Sequence, residues 1–170
     1  MDHISHELDW FALRVKPRAE RVVADALREK GYEELLPVHK ERRRWSDRIV
    51  TRETPLFPGY VFCRFDVQFR LPILTTPGVL HVVGVGKVPQ AIASHEMESI
   101  RVLTRSDLPL EPWPFLHVGQ RLEMVAGPLA GANGILLSAK GQDRLVVSIT
   151  LLQRSVAVEV PASCVWPASA

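Results

Sequence analysis

Nine residues near the middle of the chain, "DLPLEPWPF" (Asp107 to Phe115), contain three prolines. Proline lacks a backbone N–H and holds φ near −65°, which excludes helix interiors and central strands. The stretch therefore reads as a semi-rigid linker at 108–117. It divides the 170 residues into two parts of different texture. A helix-and-strand pattern precedes it, at 9–107 behind a polar tail (1–8), and a run of short strands follows, at 118–168.

In the first part, "WFALRV" (Trp10 to Val15) has the content of a buried strand. The spacing in "KPRAERVVADALREKG" predicts a helix, with Pro17 in its first turn and Gly31 ending it. Ala19, Val22, Val23, Ala26 and Leu27 form its apolar stripe. "EELLPVHKERR" and "RIVTRETPLF" read as strands around a loop near "WSDR". "YVFCRFD" alternates, with Tyr60, Phe62 and Arg64 on one face and Val61, Cys63 and Phe65 on the other. "GVLHVVGV" is a further strand, and Met97, Ile100 and Leu103 give "SHEMESIRVLTR" a helical face.

In the second part, "QRLEMV", "GILLS", "RLVVSITLL", "SVAVEV" and "CVW" are short strands separated by Gly-rich turns, the pattern of a small barrel. The fold class expected is α+β: an antiparallel sheet flanked by helices, joined by a linker to a small C-terminal β-barrel. Val, Ile and Thr dominate the barrel segments, so no helical alternative is expected there.

Sites of chemistry are not legible. "GVGKV" (Gly84 to Val88) fails the phosphate-loop pattern twice, having His81 where Gly is needed and Val88 in place of Ser or Thr. Six histidines lack ligand spacing, with His3 and His6 in the tail. Cys63 and Cys164 are far apart, which excludes a disulfide framework and suits a reducing compartment. No apolar run approaches the ~20 residues of a membrane span, and the polar, acidic N-terminus is no signal peptide. The expectation is a cytoplasmic protein with no catalytic residue, metal or cofactor.

Charge is concentrated locally. Residues 1–107 carry 17 Lys and Arg against 15 Asp and Glu, and residues 118–170 carry 4 against 3. The excess lies in Lys40, Arg42, Arg43, Arg44, Arg48 and Arg52, with Trp45 among them. Two readings stay open: a solvated hairpin, or a phosphate-contacting arm with an aromatic for base stacking.

"PLFPGYVF" (Pro55 to Phe62) and "VGQRLEMVAGPLAGANGIL" (Val118 to Leu136), with Trp10 ahead and a proline-rich linker between, resemble the NusG family of transcription elongation factors. The second stretch is similar to a KOW motif through Gly119, Gly127, Gly131 and Gly134. The resemblance implies an N-terminal domain on the clamp helices of the largest RNA polymerase subunit, touched by Trp10, Phe57, Pro58 and Tyr60. It also implies contacts to the upstream fork or non-template DNA strand from Arg14, Lys16, Arg18, Arg21, Arg42, Arg43, Arg44 and Arg48. The KOW domain would recruit a small-subunit ribosomal protein or Rho through Leu151, Leu152 and Arg154. Leu152 stands where the coupling factors often carry Phe. The protein is expected to be a monomer favouring processive elongation or antitermination. Its leucine before "FPGY" and its "FD" strand end resemble the specialised paralogues of the RfaH type. The alternative is a KOW-type RNA- or ribosome-binding protein, against which the weak basicity of residues 118–170 counts.

Overall fold

The computed structural model describes residues 8–139 and 141–160. The polar tail through residue 7, Lys140 and the "CVW" strand lie outside these. In chain order the elements are β1 (Asp9–Val15), α1 (Glu20–Glu29), β2 (Glu33–Leu35), β3 (Val38–Trp45), β4 (Arg48–Pro55) and β5 (Tyr60–Phe65). A 3-10 turn (Val67–Phe69) and a one-turn helix α2 (Leu71–Leu74) follow, then β6 (Val79–Val82), β7 (Gly84–Val85), β8 (Val88–Pro89) and α3 (Ser94–Arg105). The remainder is β: β9 (Leu110–Trp113), β10 (Arg121–Glu123), β11 (Asn133–Ala139), β12 (Gln142–Ile149) and β13 (Arg154–Val160), with a 3-10 turn at Thr150–Leu152. No helix among the described residues is long and apolar enough to cross a membrane.

The chain forms two compact units. One takes the residues up to Leu36 with Pro58–Ser94, and the other Pro37–Phe57 with the residues from His95 on.

The first unit is built on an antiparallel sheet in the order β2-β5-β1-β6. Alternation places Phe11, Leu13 and Val15 beside Val61, Cys63 and Phe65 on one face, where α1 adds Val23, Ala24 and Leu27. The rings of Phe11 and Phe65 lie 4.8 Å apart. Truncating a fully buried side chain such as Leu27 to Ala would cost about 2–5 kcal/mol. The alternate residues Trp10, Ala12 and Phe62 are buried as well, so the sheet loses solvent on both faces.

Helix α1 departs from its expected stripe. It begins after Pro17, at Glu20; Val22 is 64% exposed, whereas Glu20 is buried. Its end follows the expectation at Gly31: the Gly31 N–H donates to the Arg28 carbonyl and the Tyr32 N–H to that of Leu27. This is the Schellman pattern that satisfies carbonyls left over at a helix terminus.

In the second unit β3 and β4 pair over their whole length, joined by Ser46 and Asp47. Helix α3 buries Met97, Ile100 and Leu103, as its spacing predicts. The C-terminal sheet is antiparallel in the order β10-β11-β12-β13-β9. Its interior is aliphatic, including Leu122, Leu145, Val147, Ile149, Val156 and Val158. The fold is α+β, with a small all-β C-terminal part.

The proline-rich stretch is not a free linker. Residues Leu110–Trp113 form β9, paired with β13 at the sheet's edge. An edge strand tolerates Pro112 because one side of it has no ladder to donate to. Beyond it, the Ser155 Oγ accepts the Leu116 N–H (3.1 Å) and the Ser148 Oγ donates to the Leu116 carbonyl (2.8 Å). The two serines face each other across β12 and β13, 2.6 Å apart, so one polar pair satisfies this backbone. β3, β4 and α3 group with the C-terminal strands. On α3 the reason is visible. The Glu96 carboxylate accepts from the Thr150 N–H and Oγ1, and the Ser99 Oγ accepts from the Asn133 N–H.

Candidate functional site

The Pro-Gly turn in the first unit is held from two sides. Gly59 has φ of +86°, which side-chain-bearing residues rarely adopt. Its N–H donates to Glu20 Oε1 (3.0 Å) and its carbonyl accepts from the Val15 N–H (2.9 Å). The carboxylate thus ties the first turn of α1 to the turn ahead of β5, where the helix dipole also favours a negative charge. Over the turn lies Arg14, its guanidinium carbon 4.9 Å from the Tyr60 ring centroid. A Cβ on residue 59 would collide with that guanidinium.

Of the residues expected to meet the polymerase, Pro58 is exposed and Tyr60 half-buried. Phe57 is 1% exposed and Trp10 9%. Both are buried aromatics where surface residues were expected: Trp10 lies on β1, in a sheet covered on both faces, so alternation does not identify a wet side, and Phe57 lies in the bend between β4 and β5. Lys16, Arg18 and Arg21 are exposed, and Arg14 is half-buried against Tyr60. Pro58, Tyr60 and Arg14 therefore come together, and Lys16, Arg18 and Arg21 follow on the same β1–α1 segment.

A surface that the candidate residues omit lies elsewhere in this unit. Arg70, Leu74, His81, Val82, Gly86, Lys87 and Pro89 line an open groove of about 410 Å³. Around it Phe69, Leu71, Val85 and Val88 are each about 70% exposed. The apolar run "LPIL" after Arg70 was the available signal, since α2 is too short to bury more than Ile73.

In the second unit, Arg42, Arg43, Arg44 and Arg48 are all exposed on the β3–β4 hairpin. Trp45 stands 73% exposed near its tip. The KOW-like glycines have different tasks. Gly134, on β11, is required by closeness: a Cβ there would sit 2.6 Å from the Val146 carbonyl oxygen of β12. Gly127 and Gly131 occupy turns between β10 and β11, and Gly119 precedes β10. Leu151 and Leu152 are half-buried in the 3-10 turn tied to Glu96, and Arg154 is exposed at the start of β13.

Cys63 is fully buried, and that burial pushes its thiol up to about 12, with Glu34 and Glu33 adding to the effect. A thiol so held is protonated and unreactive. Among the described residues no group of three His, Cys, Asp or Glu could hold a metal ion.

Set beside known proteins, the chain falls in a family of transcription factors. A family model described as "Transcription termination factor nusG" matches residues 8–101, and the chain belongs to that family. Two relatives from strains of Helicobacter pylori, each a "Transcription termination/antitermination protein NusG", are 24% and 23% identical to it. Each alignment covers 90% of this chain and 94% of the relative. The solved structure "Domain interaction in Thermotoga maritima NusG" superposes with a TM-score of 0.54 at 19% identity, over 96% of this chain and 98% of that one. At this identity the likeness concerns the fold.

Proposed function

We propose that the chain is a transcription elongation factor that docks on RNA polymerase through the Pro58–Tyr60 turn. Family membership supports polymerase binding in general, and one observation supports this surface. The turn is clamped by Glu20 and Arg14, so Pro58 and Tyr60 are presented without further ordering at the moment of binding. The partner we assign is the clamp-helix pair of the largest subunit. Lys16, Arg18 and Arg21, with the hairpin arginines, would meet phosphates of the nearby DNA, which positions the factor without specifying sequence. Phe57 and Trp10 act in this reading from below the surface, as support.

A protein bound across the polymerase cleft favours the closed, elongating state by differential affinity, with no chemical step. Residues 9–107 would form the polymerase-binding part and 118–168 the recruiting part. There Leu151, Leu152 and Arg154 would engage a small-subunit ribosomal protein or Rho. The decisive experiment is binding of full-length protein to purified RNA polymerase, with Tyr60→Ala beside wild type. A loss of tenfold or more, about 1.4 kcal/mol, supports the turn as the docking surface. Unchanged affinity with an intact fold rejects it.

A further inference from the structure

The segment "GVGKV", which fails the phosphate-loop pattern, folds as the β7–β8 hairpin, with Gly84 opposite Pro89 and Val85 opposite Val88. Gly86 and Lys87 form its tip. A side chain on residue 84 would collide with the Val88 carbonyl oxygen, so the two strands close this tightly only on glycine. Both ends of the hairpin are tied to β1. The Val83 N–H donates to the Ala12 carbonyl (2.8 Å) and the Ile92 N–H to that of Trp10 (2.8 Å). The backbone that carries Lys87 is therefore fixed against the sheet.

Three anchored elements wall the groove of about 410 Å³: Arg70 and Leu74 come from the start and end of α2, His81 and Val82 from β6, and Lys87 and Pro89 from the hairpin. Helix α2 is held to α1 by Lys30, whose Nζ donates to the Pro72 carbonyl and to Thr76 Oγ1 (2.9 Å each). Arg70 uses one donor on the Val67 carbonyl, which steadies the side chain and leaves most of its guanidinium fork free. The side chains of His81 and Lys87 make no hydrogen bond or ion pair among the described residues. No carboxylate among them lines the groove. Its volume falls within the range of about 300–1,000 Å³ of small-molecule sites, which join an apolar lining to a few polar groups.

We propose that this groove binds a small organic phosphate, with the phosphoryl group on Arg70, His81 and Lys87 and an apolar ring or chain on Leu74, Val82 and Pro89. Charge complementarity selects an anion. A phosphoryl group suits the site better than a carboxylate. It offers three acceptor oxygens and a charge of about −1.5 to −2 near neutral pH, enough for donors arriving from three elements. Arg70 meets it as a planar fork and Lys87 as a point charge. The apolar part of the lining favours an ester with a hydrophobic body over the bare ion. This goes beyond polymerase docking, because it assigns the first unit a ligand of its own.

The test is an amide-detected NMR titration of the full-length protein with adenosine monophosphate and with hexyl phosphate, beside adenosine and inorganic phosphate. At least one ester should shift the amides of His81, Gly86 and Lys87 saturably. It should bind about tenfold or more tighter than inorganic phosphate or adenosine. Arg70→Ala and Lys87→Ala should each weaken that ester about fivefold or more, through loss of one charge-assisted contact. Both side chains are exposed, so the rest of the spectrum stays in place and reports an intact fold. Whichever ester binds more tightly tells whether a ring or a chain fits the apolar lining. No saturable shift with either ester leaves the groove to a macromolecular partner and overturns the inference. Inorganic phosphate binding as tightly as the esters, shifts centred outside the groove, or Lys87→Ala binding like wild type overturns it equally. No polymerase is present, so this outcome is separate from the Tyr60 docking surface, whose own failure would show only in polymerase binding.

Discussion

The Glu20 carboxylate accepts the Gly59 N–H at 3.0 Å, linking residues 39 apart in sequence at a buried position. Replacing Glu20 with Ala leaves that donor without its acceptor and costs about 1–3 kcal/mol. Glu20→Gln keeps an acceptor oxygen and should cost less. Urea unfolding of the two variants gives the order, and equal losses would mean that the hydrogen bond contributes nothing beyond packing.

Gly59→Ala meets a positive φ, the main penalty, and pushes the flexible end of Arg14 off the Tyr60 ring, a smaller one. The expected loss is about 2 kcal/mol or more. Adding Arg14→Ala removes the collision and leaves the backbone cost. The double variant should therefore be less damaged than the sum of the singles, measured by thermal unfolding as a double-mutant cycle.

Cys63 makes stability fall in alkali. Its folded-state value of about 12 lies above the ordinary 9.0, chiefly through burial. Above pH 9 the unfolded chain releases the proton while the folded chain retains it. The contribution is thus complete below pH 9 and is lost as pH rises toward 12, by up to about 1.4 kcal/mol per pH unit. Urea unfolding at pH 8 and pH 10 should show a steeper loss for wild type than for Cys63→Ala. Parallel losses in the two proteins would contradict the burial of the thiol.

Glu96 holds the 3-10 turn that carries Leu151 and Leu152, through the N–H and hydroxyl of Thr150. Glu96→Ala should accelerate amide hydrogen exchange at Thr150 and lower stability by about 1 kcal/mol, the typical net contribution of an intramolecular hydrogen bond and below that of a buried one to a charged group, because the site is exposed. Exchange at Gly59 reports the first unit and should not change. An unaltered rate at Thr150 would show that the contact does not restrain the turn.

Local features of the fold were legible because they depend on neighbours in sequence. The Val61, Cys63 and Phe65 face of β5, the Met97, Ile100 and Leu103 face of α3 and the helix stop at Gly31 all follow from backbone geometry and periodicity. The site was less legible. Pro58 and the hairpin arginines lie exposed and Tyr60 half-buried, as a surface role asks, whereas Trp10 sits on a strand covered on both sides and Phe57 is buried in the bend after β4. Their identity as aromatics does not reveal which side stays wet. Glu20 escaped notice because a carboxylate in a first helical turn reads as a dipole partner, and its actual partner lies 39 residues away.

The sequence alone determined the α+β class, the basic hairpin and the turn around Pro58 and Gly59, since propensity and pattern act over a few residues. Tertiary structure decided which aromatics are buried, where the proline-rich stretch docks and how the turn is clamped. Pro112 is compatible with either a linker or an edge strand, and only a partner such as β13 chooses between them. The hairpin likewise owes its charge to composition, but the sorting of Trp45, Arg43, Arg48 and Arg52 onto one face required the register of β3 against β4.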